Sequence, residues 1–421
     1  MLSAFRNRDY ALLFAGQSIS HLGDQFHLIA LPWLVLSLTH DPLQLGAVLA
    51  VVGIPRALLM LVGGVFADRF SPRLIMLASD ALRFVSTTAM AVAVLTGSVQ
   101  IWMVYALALA FGIVSGFFMP AAQSTVPRIL PPDQLERGNA AIMGANQLAA
   151  FLGPVAAGLL IAAFGTGAAV GAAKTASLTG IGIALAVDAL SFLVSAVCLA
   201  SMRRIPAANS RSDDNPLAEV VEGLRYAFGN PSVRVMFVAI ACANFFIMGP
   251  MLVGLPVIAS SRLAQGAAAF GIIMSASGIG SVIGMLGAGS LRRPSDRVFP
   301  WLAATLFVGF GISVASLAFV TQTWILGLLM LATGMGNGYI AVIVITALQR
   351  MTETAFLGRV MSLITLAMVG LAPVSQLLSG AIIRVSPTVL FCGAGLGFLL
   401  TAAWSLRTRE AWTLSDGSAG A

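Results

Sequence analysis

Gln17, Ser20, His21, Asp24 and His27 follow one another at steps of one or three residues. On a helix they therefore share one polar face. The segment around them is apolar enough to sit in lipid, where a charged group near the bilayer centre costs roughly 2.5–3.5 kcal/mol on insertion scales. Such a group faces a cavity or a partner and commonly marks a substrate or ion route. Asp24 is the leading proton-carrier candidate, a titratable group in a desolvated place whose protonation can exchange with substrate binding. His21, on the same face, and Arg56, expected near the middle of the second helix, would tune it. The competing reading is a structural Asp24 paired to a neighbouring helix.

The elements that must carry this face follow from composition. Of the 421 residues, 58% are hydrophobic and 9% charged, which excludes an ordinary soluble domain. The chain reads as a polytopic membrane protein. Apolar runs long enough to span a bilayer place helices at 10–38, 44–67, 73–96, 100–123, 141–165, 174–201, 233–259, 268–291, 298–320, 322–348, 360–383 and 387–406. The first run is too long and too polar-striped for a cleaved signal peptide, so it is taken as a mature span.

Arginine placement orients the chain, because short cytoplasmic loops carry the Lys/Arg excess. Arginines cluster ahead of the first span, in every second connection and after the last span, whereas Lys174, Arg262 and Arg384 fall on the other side. A bacterial inner-membrane protein with both termini cytoplasmic is expected. The net charge of +7 then describes a surface facing anionic lipid, and no nucleic-acid partner is expected.

Other chemistries find little support. Cys198, Cys242 and Cys392 lie inside spans and read as packing residues, and the three histidines make no zinc spacing with them. The glycine-rich stretches at 278–289 and 393–397 lack the Lys-Ser/Thr of a phosphate loop. No metal, cofactor or enzymatic activity is expected.

The longest polar stretch divides the chain into an N-terminal six-helix bundle (1–202), a cytoplasmic linker (203–232), a C-terminal six-helix bundle (233–409) and a flexible tail (410–421). Leu217–Phe228 in the linker reads as a short amphipathic surface helix. Leu31-Pro32 has a counterpart in Leu255-Pro256, and Gly153-Pro154 in Ala372-Pro373. Those offsets, 255 − 31 = 224 and 372 − 153 = 219, nearly agree. They fit a parallel repeat with a substrate site between the halves.

The second connection adds a motif. Gly64-Val65-Phe66-Ala67-Asp68-Arg69-Phe70-Ser71-Pro72-Arg73 resembles the signature of the major facilitator superfamily between its second and third helices. The resemblance implies an all-α membrane fold of twelve transmembrane helices in two pseudo-symmetric six-helix bundles. It also implies a cytoplasmic gate at Gly64, Asp68, Arg69 and Arg73. Here Ser71 and Pro72 stand where the family has its turn glycine and next basic residue, and the second-half equivalent has Leu291 at the Asp position.

Gly153, Pro154 and Gly158 resemble the antiporter motif found mainly among exporters of this superfamily; ordinary small-residue packing gives the same pattern. Phe5-Arg6-Asn7-Arg8-Asp9, Leu22-Gly23-Asp24, Leu31-Pro32-Trp33, Val187-Asp188-Ala189-Leu190-Ser191 and Leu357-Gly358-Arg359 resemble the bacterial macrolide- and siderophore-efflux branch. The fourth span lacks the buried arginine of many proton-coupled exporters, and Arg56 is the substitute considered.

Asp80 and Arg83, three apart, read as a structural pair. Asp188 reads as a packing or interfacial residue. Gln17, Gln123, Gln147, Asn244, Phe245, Met248, Asn337 and Gln376 are candidates to line a substrate cavity, each with interhelical packing as its alternative. At the 224 offset Asp24 maps to Met248 and His21 to Phe245, so ionisable chemistry concentrates in the first half, and Met and Phe surfaces suit a bulky amphiphile. The expected function is a monomeric secondary transporter exporting a lipophilic or amphiphilic drug, macrolide or siderophore against protons, with membrane lipid around it. Uptake, lipid-like flipping, and a non-transporting assembly or sensor protein are the alternatives.

Overall fold

The computed structural model describes residues 4–164, 178–203, 205, 225, 228–291, 294–295, 297–352 and 357–411. Helices dominate, and no strand occurs among the described residues. In lipid a helix satisfies its backbone polar groups within itself, which is why apolar runs of this length fold this way. The run is α1 (Arg8–Thr39), α2 (Pro42–Arg69), α3 (Pro72–Leu95), α4 (Ile101–Ile129), α5 (Pro132–Ala163) and α6 (Leu178–Ser201). It continues with α7 (Pro231–Ser261), α8 (Ala267–Ser290), α9 (Phe299–Ser316), α10 (Thr323–Met351), α11 (Leu357–Gly370 and Ala372–Val385) and α12 (Pro387–Arg407). Proline in the first turn starts α3, α5, α7 and α12, where the missing N–H costs nothing.

Eleven of these helices are long and apolar enough to cross a membrane. The other is α1, whose polar face dilutes its hydropathy over a length of 32 residues. The fold is therefore the expected all-α membrane architecture. The sequence reading differs most at α4 and α5, where it leaves a connection over 124–140. The helices instead run to Ile129 and resume at Pro132. α4 passes through Pro120 and Pro127, and only Leu130 and Pro131 separate it from α5. The linker over 206–224 with most of Leu217–Phe228, the tail over 412–421, Lys174, and Arg292 with Arg293 lie outside the described residues.

Contacts group the chain into two units, Met1–Asp213 with Ala259–Ser275, and Asp214–Ile258 with Ala276–Ala421. In the first unit α1 packs on α5 and α6, α3 on α4 and α6, and α2 on α4. Small residues allow these approaches. A β-carbon at Gly16 would lie 3.1 Å from Cys198 Cβ, and one at Gly112 on α4 would strike the Val52 carbonyl of α2.

The end of this unit that holds the start of α1 is tied by side chains. Asn7 caps α1 by accepting from the Asp9 and Tyr10 amides, and its Nδ2 donates to Ile129 O at the end of α4, 2.7 Å away. Asp9 Oδ1 accepts from the Arg203 amide at 3.0 Å. The Tyr10 hydroxyl donates to Gly138 O on α5 at 2.8 Å. Phe5, Tyr10 and Phe14 pack around this clasp. Arg73 completes it, with Nε donating to Leu199 O and Nη2 to Ala200 O, each at 2.6 Å. These carbonyls close α6 and have no partner within the helix, so a cation there also complements the helix dipole.

In the second unit α7 packs on α11 and α12, and α9 on α12. α8 and α10 cross with glycines on both sides. Gly280 and Gly284 face the carbonyls of Leu331 and Met335, and Gly334 and Gly338 face those of Ser277 and Ser281. Gly112 and Gly116 on α4 meet α2 at the matching places of the first half, a repeat that the matched prolines had suggested. α7 carries a π-helical turn over Pro250–Gly254. Just before it the Ser375 hydroxyl of α11 donates to Phe245 O and accepts from the Gly249 amide, the two groups a regular helix would pair directly.

Candidate functional site

Within the first unit the ionisable side chains of α1, α2, α3 and α6 converge. On α1, His21 Nδ1 stands 3.6 Å from Asp24 Oδ2, with side chains 29% and 31% exposed. That pair is thus only partly enclosed by the protein. One turn further, His27 Nδ1 stands 3.1 Å from Asp188 Oδ2 on α6, where the aspartate is wholly buried and the histidine side chain 10% exposed. The imidazole stacks on Phe111 of α4, with ring centres 4.7 Å apart. Gly23 permits the approach: a β-carbon there would clash with the Ser191 side chain and lie 3.0 Å from Asp188 Oδ1.

α3 supplies the adjoining pair. Arg83 Nη1 lies 3.8 Å from Asp80 Oδ1, and both residues are buried. Arg83 Nη2 donates to Ser115 Oγ at 2.8 Å, and Ser195 Oγ donates to Asp80 Oδ2 at 2.6 Å. The guanidinium also rests over the rings of Phe111, Phe118 and Phe192 at 4.9, 4.7 and 5.5 Å. Weakly hydrated and planar, a guanidinium suits such a desolvated aromatic seat. Arg56 on α2 lies within electrostatic range of Asp24 and Arg83, without a direct ion pair to Asp24 among the described residues.

The other expected site residues are distributed as follows. Gly64, Asp68 and Arg69 occupy the last turns of α2, and their side chains lie outside the described residues; Arg73 is engaged with the end of α6. Gly153 packs against Gln25 of α1, next to Asp24, where a β-carbon would meet the Gln25 side chain. Pro154 and Gly158 pack against the start of α8: a β-carbon at Gly158 would lie 2.6 Å from Ala267 O, Gly271 faces Pro154 O, and the Val155 amide donates to Ser275 Oγ at 3.1 Å. Of the cavity candidates in the first unit, Gln17 is buried, Gln147 half-buried and Gln123 exposed. In the second unit Asn244, Phe245 and Met248 are half-buried, Gln376 is buried and Asn337 exposed. Asn244 Nδ2 donates to Ile240 O of its own helix, and Phe245 meets Phe246 edge to face.

Sequence reasoning missed the His27–Asp188 pair. It read Asp188 as a packing or interfacial residue without naming a partner, and 161 residues separate the two. The available signal was Asp188-Ala189-Leu190-Ser191 on α6 opposite Leu22-Gly23-Asp24 on α1, a small residue on one helix matching a polar one on the other. Among the described residues no group of three or more His, Cys, Asp or Glu side chains is placed to hold a metal.

The sequence matches the model of the Major Facilitator Superfamily over residues 13–375. The chain is 26% identical to an uncharacterized MFS-type transporter, y4rN, of Sinorhizobium fredii, over 93% of each chain. It is 25% identical to the enterobactin exporter EntS of Escherichia coli O1:K1, over 88% of this chain and 85% of that one. Among solved structures it resembles a single-substitution mutant of the nucleoside transporter NupG (TM-score 0.71, 16% identity, 96% and 98% covered). It likewise resembles a bacterial homologue of the iron transporter ferroportin in an inward-facing state (TM-score 0.69, 17% identity, 96% and 98% covered). The helical architecture and a family match across most of the chain lead to one assignment: this multi-pass membrane protein is a non-enzymatic transporter of the major facilitator superfamily.

Proposed function

We propose that the protein exports lipophilic or amphiphilic small molecules, of drug, macrolide or siderophore class, by proton antiport with alternating access. The observation that carries the reading is the His21–Asp24 pair, partly exposed and set beside a buried charged cluster in the first unit. A group that reaches solvent and also feels buried charges can exchange its proton when cargo arrives. The E. coli relative is an enterobactin exporter, which supports outward transport and makes siderophores reasonable cargoes to try first. The methionine and aromatic side chains around Phe245 and Met248 supply adaptable apolar surface.

In this reading the protein is a monomer in the bacterial inner membrane with both termini cytoplasmic, an orientation supported by the arginine distribution. Gly64, Asp68, Arg69 and Arg73 form the cytoplasmic gate, and Gly153, Pro154 and Gly158 shape the helix that favours outward release. The test is flux in everted vesicles energised with an acidic lumen, offered enterobactin, a macrolide and a lipophilic dye. Accumulation of at least one, abolished by collapsing the pH gradient, is the expected result. Flux of all cargoes only in the opposite direction would establish uptake instead, and no gradient-driven flux of any would remove the antiport mechanism.

A further inference from the structure

We infer that His27 and Asp188 form a second proton-binding site, buried between α1 and α6, which is loaded and emptied through the more exposed His21–Asp24 pair. The inference rests on the proton-antiport reading for its place in transport. The site itself is argued from the geometry of the first unit.

Charge balance makes the case. The groups facing this interior are Asp24, His21 and His27 on α1, Arg56 on α2, Asp80 and Arg83 on α3, and Asp188 on α6. α4 contributes Phe111 and Ser115; its titratable residues, Tyr105 and Arg128, lie toward its two ends, and those of α5, Asp133, Glu136 and Arg137, lie in its first turns. Three carboxylates thus stand against two guanidiniums. Counting the partly exposed Asp24, one further proton makes the cluster neutral, and because negative charge is tolerated less the deeper it lies, the wholly buried Asp188 draws that proton most strongly.

The geometry says where that proton resides. Asp80 already has a permanent cation, Arg83, at 3.8 Å and a hydrogen bond from Ser195, although its Oδ1, like that of Asp188, has no hydrogen-bond partner among the described residues. Asp188 has His27 at 3.1 Å, and its other oxygen, Oδ1, is buried without a hydrogen-bond partner among the described residues. An imidazolium at His27 supplies the missing positive charge, with Nδ1–H donating to Asp188 Oδ2. Phe111 stacks on the imidazole and the pair is largely buried, which leaves Asp188 as the carboxylate paired with His27. The proton balance is simple. One proton enters from water at Asp24 or His21, passes along α1 to His27, and leaves by the same pair after the access side has changed. Each passage takes one proton from one compartment and gives one to the other.

With three histidines in the chain, His21, His27 and His40, imidazole nitrogen-15 NMR of the full-length protein in lipid nanodiscs reads the site directly, with assignment by single substitutions. The expected wild-type result is a His27 imidazolium signal at pH 7, while Asp188→Asn turns His27 into a neutral imidazole at that pH. In vesicles, His27→Gln and Asp188→Asn are expected to lower proton movement per cargo at least about tenfold, with cargo binding by the purified protein within about twofold of wild type. A neutral His27 in the wild type at pH 7, or His27 protonation unchanged by Asp188→Asn in a protein that elutes as a single folded species, would overturn the site. If the wild type shows the imidazolium but no gradient-driven flux, the antiport reading fails and the proton site stands.

Discussion

A β-carbon added to Gly158 would lie 2.6 Å from the carbonyl oxygen of Ala267, so α5 and α8 cross here with their backbones in contact. Gly158→Leu must push the helices apart, at a cost on the order of 1–3 kcal/mol. If the contact biases the transport cycle, a shift of that size changes a two-state population about five- to a hundred-fold. Efflux should fall accordingly. Cargo accumulation in cells expressing mutant or wild type at matched membrane levels checks this, and equal accumulation would count against it.

Asp24→Asn keeps the size and hydrogen bonding of the side chain that faces His21 but removes its titration. Uphill export should collapse to the level of empty vesicles, while downhill exchange of labelled for unlabelled cargo continues. Uphill export undiminished in the mutant is the result that sinks the assignment of Asp24.

Arg73→Ala removes two hydrogen bonds to the carbonyls of Leu199 and Ala200. Bonds to a charged donor contribute about 1.5–3 kcal/mol each when buried, but Arg73 is only half-buried, so about 1–2 kcal/mol in total is expected. Arg73→Lys should recover part of that, because an ammonium cannot reproduce the guanidinium fork. Thermal unfolding followed by fluorescence-detected size exclusion orders the three proteins as wild type, Lys, Ala.

Ser375→Ala withdraws the hydroxyl that bridges Phe245 O and the Gly249 amide. A buried N–H left without its partner costs about 1–3 kcal/mol, unless α7 straightens and pairs the two groups itself. Spin-label distances across the two ends of α7 distinguish these outcomes. A straighter helix with stability retained is expected if the serine holds the helix open, and loss of stability at unchanged distances would show that it only fills a bond.

What the sequence made legible was local. Apolar runs located the helices to within a few residues where loops are polar, but the α4–α5 junction was misplaced: the more polar stretch over 124–140 reads as a connection, whereas α4 runs on to Ile129 and α5 begins at Pro132. The Asp80–Arg83 approach follows from a three-residue step on one helix and needed no tertiary information. His27 and Asp188 meet only because Gly23 and Ser191 let α1 and α6 come together, a fact of packing between segments 161 residues apart. Period and composition carry no such information. Clues to cargo are scattered in the same way, over side chains on several helices in both units.

The clasp at the start of α1 has a consequence for how the protein is made. Asp9 leaves the ribosome well ahead of Arg203, whose amide it holds 194 residues further along the chain. At about 5–20 residues per second, roughly 10–40 s of synthesis separate the two. Asn7 and Tyr10 find Ile129 and Gly138 earlier, but until α6 is complete Asp9 lacks its partner and the polar face of α1 has not met Asp188. α1 therefore waits for its last partners until α6 is complete. The insertion machinery has to shelter Asp24 and His27 through that interval, and a chain truncated before Arg203 would present them to whatever quality control watches for unpaired charge in the bilayer.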